Sequence, residues 1–124
     1  MPATADERFQ PRIRPRLYLS PGLGIGPGKI ELLQQVARTA SISAAARAMG
    51  MSYKRAWQLI DEINQGLGRP VVATAIGGKG GGGARLTALG SSLVERYLAL
   101  EAELNRAAAP HLAALAGLAN REPD

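Results

Sequence analysis

The chain contains no cysteine, so a disulfide framework and thiolate chemistry are excluded, and the composition fits a reducing cytoplasm. Histidine is nearly as scarce. His111 is the only one, which excludes the paired histidines of ordinary zinc sites and argues against a catalytic imidazole. Aromatic residues make up 4% of the chain. No apolar run approaches the roughly 20 residues that a membrane helix requires. Met1 to Arg16 is rich in Pro and Arg and has no apolar core, which excludes a signal peptide. The 124 residues have room for one modest domain. We expect no membrane association, no cofactor, no metal and no catalytic residues.

What is present is positive charge, unevenly placed. The formal net charge is +5. Residues 1–37 carry five Lys/Arg against three acids, and residues 86–124 carry three against five. The middle, residues 38–85, carries Arg38, Arg47, Lys54, Arg55, Arg69, Lys79 and Arg85 against only Asp61 and Glu62. Such a block is an electrostatic footprint for a polyanion.

Residues 1–13 lack periodicity and read as a disordered tail. Leu17, Tyr18 and Leu19 suit a short strand ending at Pro21-Gly22, and Ile25 suits a brief return strand. Pro27 fits the first turn of a helix running to about Thr39, with Ile30, Leu33, Val36 and Ala37 on one face. Ser43 is expected to cap a short helix, Ala44 to Met49, stopped by Gly50. Ser52 caps a second helix whose inward positions are Ala56, Ile60 and Ile63, with Leu59 alongside. Two short helices joined by Gly50-Met51 form a helix-turn-helix. Beyond Gly68 the period changes. Pro70 to Ile76 and Ala84 to Thr87 read as two strands around a loop, which together make a wing.

The second helix of the motif has its cations at its N-terminal end and its acids, Asp61 and Glu62, two turns later. A recognition helix inserts that N-terminal end into the major groove, where its free N–H groups favour phosphate. Tyr53, Lys54, Arg55 and Gln58 are the expected outward residues. Arg55 and Gln58 suit base edges. Ser43, Ser52, Tyr53 and Lys54 suit phosphates, the commoner kind of contact. Trp57 is read as packing against the wing or the first helix.

The loop from Gly77 through Gly78, Lys79, Gly80, Gly81 and Gly82 to Gly83 places six glycines around one lysine. Lacking Cβ atoms, its backbone can approach a phosphate chain closely, with Lys79 supplying charge and Arg69 and Arg85 flanking it. A nucleotide-binding loop is excluded, because the lysine of that motif must be followed by Ser or Thr. Lys79 is followed by Gly80, and Lys29 by Ile30.

From Thr87 a long helix is expected, with Leu89, Leu93, Tyr97, Leu100, Leu104, Ala108, Leu112 and Leu115 along one stripe, and Pro110 kinking or interrupting it. It is too long for the small core. A second copy is the economical partner for Leu93, Tyr97, Leu100, Leu104, Leu112 and Leu115. Two-fold symmetry would also set two recognition helices on successive major grooves.

Ser41-Ile42-Ser43, Ala46, Gly50 to Lys54, Ala56-Trp57, Ile60 and Asn64 resemble the DNA-binding domain of the ModE family of molybdate-responsive regulators. The glycine-lysine loop, continuing through Ala84-Arg85-Leu86-Thr87 to Gly90, resembles that family's wing and the start of its linker helix. A broader similarity to LysR-type winged domains follows the same alignment. The resemblance implies dimerisation through the first and last helices and binding to palindromic operators. It also implies DNA contacts for Ser43, Ser52, Tyr53, Lys54, Gln58 and Lys79. Full-length members continue into C-terminal domains that bind molybdate or tungstate. Here the chain closes after Gly117 on a polar tail at Asp124, and no small-molecule effector site is expected within it.

The expected fold class is mainly α with a small β wing: a tail (1–13), a winged helix-turn-helix (14–87), a dimerisation helix (88–118) and a C-terminal tail (119–124). The expected function is that of a bacterial, cytoplasmic, nucleoid-associated regulator that binds double-stranded DNA as a homodimer. The alternative is a winged-helix protein-interaction adaptor with weak or no DNA binding, to which Lys54 and Arg55 are poorly suited.

Overall fold

The structure is a computed structural model that describes residues 9–75 and 83–119. Along the chain run β1 (Leu17–Ser20), β2 (Leu23–Ile25), α1 (Pro27–Thr39), α2 (Ile42–Ala48), α3 (Tyr53–Leu67), β3 (Val72–Thr74), β4 (Ala84–Leu86) and α4 (Ala88–Ala119). β1 and β2 form an antiparallel hairpin with Leu17 opposite Ile25. Its turn is at Pro21-Gly22, where Gly22 has φ +83°, open to glycine at little cost. β3 and β4 pair antiparallel, with Val72 opposite Leu86 and Thr74 opposite Ala84. The architecture is the expected one: a helix-turn-helix, a small wing and a long last helix.

Apolar spacing explains the core. α1 buries Ile30, Leu32, Leu33 and Val36, α2 buries Ile42, Ala45 and Ala46, and α3 buries Ala56, Ile60 and Ile63. The alanines let α2 approach α1 and α3 closely, while Leu23, Ile25, Val71 and Val72 close the core from the strands. Leu32 is fully buried and Ala37 is exposed, the reverse of the expected stripe. The reason is that α1 packs against α2, α3, β4 and α4, so its apolar face is wider than one stripe.

Several boundaries differ from the sequence reading. The cap of α2 is Ser41, not Ser43: Ser41 is extended, and its Oγ accepts from the Ala44 N–H at 3.0 Å. Starting at Ile42 puts that side chain into the core and leaves Ser43 exposed within the first turn. The strands are shorter than expected because their flanking residues have other partners. The Val71 N–H donates to Asn64 Oδ1 at 2.8 Å, and the Val71 carbonyl accepts from the Thr87 N–H at 2.9 Å. Thr87 belongs to the start of α4, where its Oγ1 accepts from the Gly90 N–H at 3.0 Å.

Pro110 does not interrupt α4, which runs through it to Ala119. Proline removes one N–H from the ladder, but Pro110 sits on an exposed face where the freed carbonyl meets water. Residues 9–13 are irregular without being a free tail, since the backbone of Ile13 is held by Asn105 of α4. Tyr97 is buried within its own domain and donates its hydroxyl proton to the Pro15 carbonyl at 2.7 Å. It therefore has little surface left for a partner. Leu93 also packs against the core, whereas Leu100 and Leu115 are exposed and Leu104 and Leu112 are half-buried.

Candidate nucleic-acid interface

The surface of interest is built on the N-terminal half of α3. Ser52 is extended and accepts from the Arg55 N–H at 3.0 Å, which starts the helix there. Ala56, Ile60 and Ile63 then face the core, so the helical period turns Ser52, Tyr53, Lys54, Arg55 and Gln58 outward, and all five are exposed. Gln58 lies three residues from Arg55 and four from Lys54, which puts the three side chains side by side. Because the Ser52 oxygen is engaged as an acceptor, its hydroxyl proton remains available to an external oxygen.

The electrostatics are one-sided. Among the described residues the ion pairs are Arg14–Glu31 at 2.6 Å and Lys29–Glu62 at 3.0 Å. Neither involves Lys54, Arg55 or Arg85, so these three cations reach the surface without a carboxylate partner among the described residues. Glu62 is tied to Lys29, whose ammonium also donates to the Gly24 carbonyl at 2.7 Å. That clamp joins β2, α1 and α3 at the far end of α3 from Lys54 and Arg55. The sequence pattern had no signal for it, since its members are distant along the chain.

Trp57 is half-buried and packs against the core, as expected for a structural residue. Its ring also meets that of Tyr53 edge-on, with centroids 6.4 Å apart and planes at 74°. Tyr53, one turn earlier, is thereby steadied while half of it stays exposed.

The wing stands beside this helix. Asn64 of α3 holds Val71, and the Ala40 carbonyl at the end of α1 accepts from the Ala84 N–H at 2.9 Å. Ala40 reaches that position in the left-handed region, φ +58°, a conformation unusual for a residue with a Cβ. The Gly83 carbonyl accepts from the Ala75 N–H at 2.9 Å, extending the wing root. Arg85 is exposed on β4. Lys79 and glycines 77, 78, 80, 81 and 82 lie outside the described residues.

A polar cleft of about 240 Å³ separates α2, α3 and the wing root, and Ser43, Tyr53 and Thr74 line it together with Ser41 and Gly83. It brings together Ser43 and Tyr53, two of the residues expected to meet phosphates. Thr74 was not singled out there; a hydroxyl at the end of a short strand has no periodic signature. Among the described residues no group of three or more His, Cys, Asp or Glu side chains could hold a metal ion, and no helix is long and apolar enough to cross a membrane.

Comparison with known proteins gives a consistent picture. Residues 28–91 match the family described as bacterial regulatory helix-turn-helix protein, lysR family. The chain is 49% identical over 81 residues to the molybdenum-pterin-binding protein MopB of Rhodobacter capsulatus, covering 65% of this chain and 30% of that protein. It is 44% identical over 89 residues to the DNA-binding transcriptional dual regulator ModE of Escherichia coli, covering 72% of this chain and 34% of that one. The chain thus spans about a third of the length of the curated relatives it matches. Among solved structures, a chain of the CbnR_DBD–DNA complex superposes with a TM-score of 0.56 at 20% identity, covering 70% of this chain and 94% of that one. At that identity the likeness establishes the fold.

Proposed function

The chain belongs to the bacterial regulatory helix-turn-helix proteins of the lysR family, and from that premise we propose that it is a transcriptional regulator that binds duplex DNA sequence-specifically, as a homodimer on a palindromic operator. The observation that carries this reading is the outward cluster of Lys54, Arg55 and Gln58 at the N-terminal end of α3, beside the wing, with no ion pair among the described residues. In the major groove Arg55 and Gln58 would face base edges. Ser43, Ser52, Tyr53, Lys54 and Arg85 would hold phosphates, with Lys79 and its glycines adding contacts from the wing tip. The site of action would be the nucleoid, in the cytoplasm.

The dimer reading rests on α4. Leu100 is 36% exposed, Leu115 62% and Leu118 58%, along a helix that extends well past the core. Pairing two copies through the distal two thirds of α4, residues 98–118, would cover these leucines and present two recognition helices about one helical turn of DNA apart. No residue here is assigned to sensing molybdate or any other effector.

The test is selection of bound duplexes from a random pool at two salt concentrations. A recovered palindrome, with affinity falling steeply as salt rises, is the expected result. Salt-sensitive binding without enrichment would reduce the protein to a nonspecific binder. Absence of binding at both salts would overturn the reading.

A further inference from the structure

The cleft between α2, α3 and the wing root is polar, yet none of the residues lining it is charged. Three of its residues, Ser43, Tyr53 and Thr74, bring hydroxyls from three different elements. Several other hydroxyls of the chain are used internally. Thr39 Oγ1 donates to the Gln35 carbonyl, Ser41 and Ser52 cap helices, and Thr87 Oγ1 donates to the Pro70 carbonyl at 2.8 Å. Among the described residues the hydroxyls of Ser43, Tyr53 and Thr74 make no hydrogen bond within the chain, and these three line one cleft. Three residues with uncommitted hydroxyls therefore line one space of about 240 Å³, room for a phosphate group with its first waters. Lys54 and Arg55 lie immediately after Tyr53 on the exposed side of α3.

We propose that this cleft seats one backbone phosphate of the bound duplex through neutral hydrogen bonds, and that Thr74, on the wing strand β3, is one of its donors. The inference rests on the DNA-binding reading above and adds a role for the wing that needs no charge. A single phosphate shared by Ser43 on α2, Tyr53 on α3 and Thr74 on β3 fixes the wing's angle relative to the recognition helix. The position is well anchored. Thr74 pairs with Ala84, and the Ala84 N–H is in turn bonded to Ala40 at the end of α1. The Tyr53 ring is held edge-on by Trp57.

A neutral donor has a signature that a cationic contact lacks. Each Lys or Arg on a phosphate releases condensed counterions on binding and steepens the salt dependence, whereas a hydroxyl releases none of its own. Thr74→Val keeps the shape and the β-branched strand preference and removes the donor. It should weaken binding about three- to ten-fold, the worth of one neutral hydrogen bond. The loss should be equal on all duplexes, and the slope of log affinity against log salt should be unchanged. Thr74→Ser should bind within about two-fold of the parent.

The experiment uses the full chain and the duplex recovered by selection, synthesised with a methylphosphonate at each backbone position in turn. The parent protein should show a position where the neutral linkage weakens binding and where Thr74→Val adds no further loss. Thermal melting of the free variants checks that the fold is intact. The proposal is overturned if Thr74→Val binds as the parent does, if its loss depends on base sequence, or if the methylphosphonate penalties are the same in parent and variant. If the parent itself binds no duplex, the DNA-binding reading fails first. Parent binding with an indifferent Thr74→Val removes only the phosphate seat.

Discussion

Asn105 of α4 grips the backbone of Ile13 on both sides: its Oδ1 accepts from the Ile13 N–H at 2.7 Å, and its Nδ2 donates to the Ile13 carbonyl at 3.0 Å. The same Nδ2 donates to the Glu101 carbonyl one turn earlier at 2.8 Å, which fixes the side chain's orientation. With the Tyr97 bond to Pro15 and the Arg14–Glu31 pair, this lays the segment before β1 along α4 and α1. Asn105→Ala should destabilise the fold by about 1–2 kcal/mol, two half-exposed hydrogen bonds' worth. Denaturant unfolding measures the loss, and hydrogen exchange should show the Ile13 amide deprotected before those of α1. An unchanged Ile13 amide would mean that the segment is held by other contacts.

Gly90 is a packing requirement. A Cβ built on it would lie 2.2 Å from the Val71 carbonyl oxygen, which is backbone and already bonded to the Thr87 N–H. Gly90→Ala must push α4 off the wing root and should cost about 1–3 kcal/mol, as overpacking typically does. Gly117→Ala, with open space around its site, should be neutral or slightly stabilising, since alanine has the better helix propensity. Melting temperatures of the two variants decide the matter, and equal values would contradict the close approach.

Burial of Tyr97 holds its phenol above the ordinary value of about 10, with Glu101 and Glu31 adding to the shift and Arg14 opposing it. The folded state therefore prefers the neutral hydroxyl, which also donates to Pro15. Its contribution to stability is complete below the unfolded phenol value and is lost as pH rises through the higher folded value. A spectrophotometric titration should show tyrosinate absorbance completed late, coincident with unfolding, and Tyr97→Phe should remove that last step. If the late step survives in Tyr97→Phe, the shift belongs elsewhere.

On DNA, two cations should behave differently. Arg55→Ala should cost about 1–3 kcal/mol on the selected site and relax one position of the operator. Arg85→Ala should weaken all duplexes alike and lower the salt slope by about 1. Lys79→Ala is expected to follow Arg85. Binding curves at several salt concentrations on the selected and a scrambled duplex separate these outcomes, and a uniform loss for Arg55→Ala would demote it to a phosphate contact.

Much of this protein was legible along the chain because the signals were local. Ser52, Gly50 and the spacing of Ala56, Ile60 and Ile63 specify α3 and its exposed face, since caps and the 3.6-residue period act over a single turn. The positive middle of the chain pointed to the same surface. What was not legible depends on residues brought together from afar. Ser41 rather than Ser43 caps α2 because Ile42 has a place in the core. Tyr97 turned inward because Pro15, distant in sequence, offers a carbonyl there. Of the expected kink or interruption at Pro110, the interruption does not occur, because the exposed side of the helix lets water satisfy the freed carbonyl. Lys29 and Glu62, Asn105 and Ile13, and the three hydroxyls of the cleft share no spacing that a one-dimensional reading could detect. Local preference decided which elements form and which face each one shows. Only the packing of those faces decided which polar groups were left to hold one another and which were left free for a ligand, because a hydrogen bond requires its partners within about 3 Å.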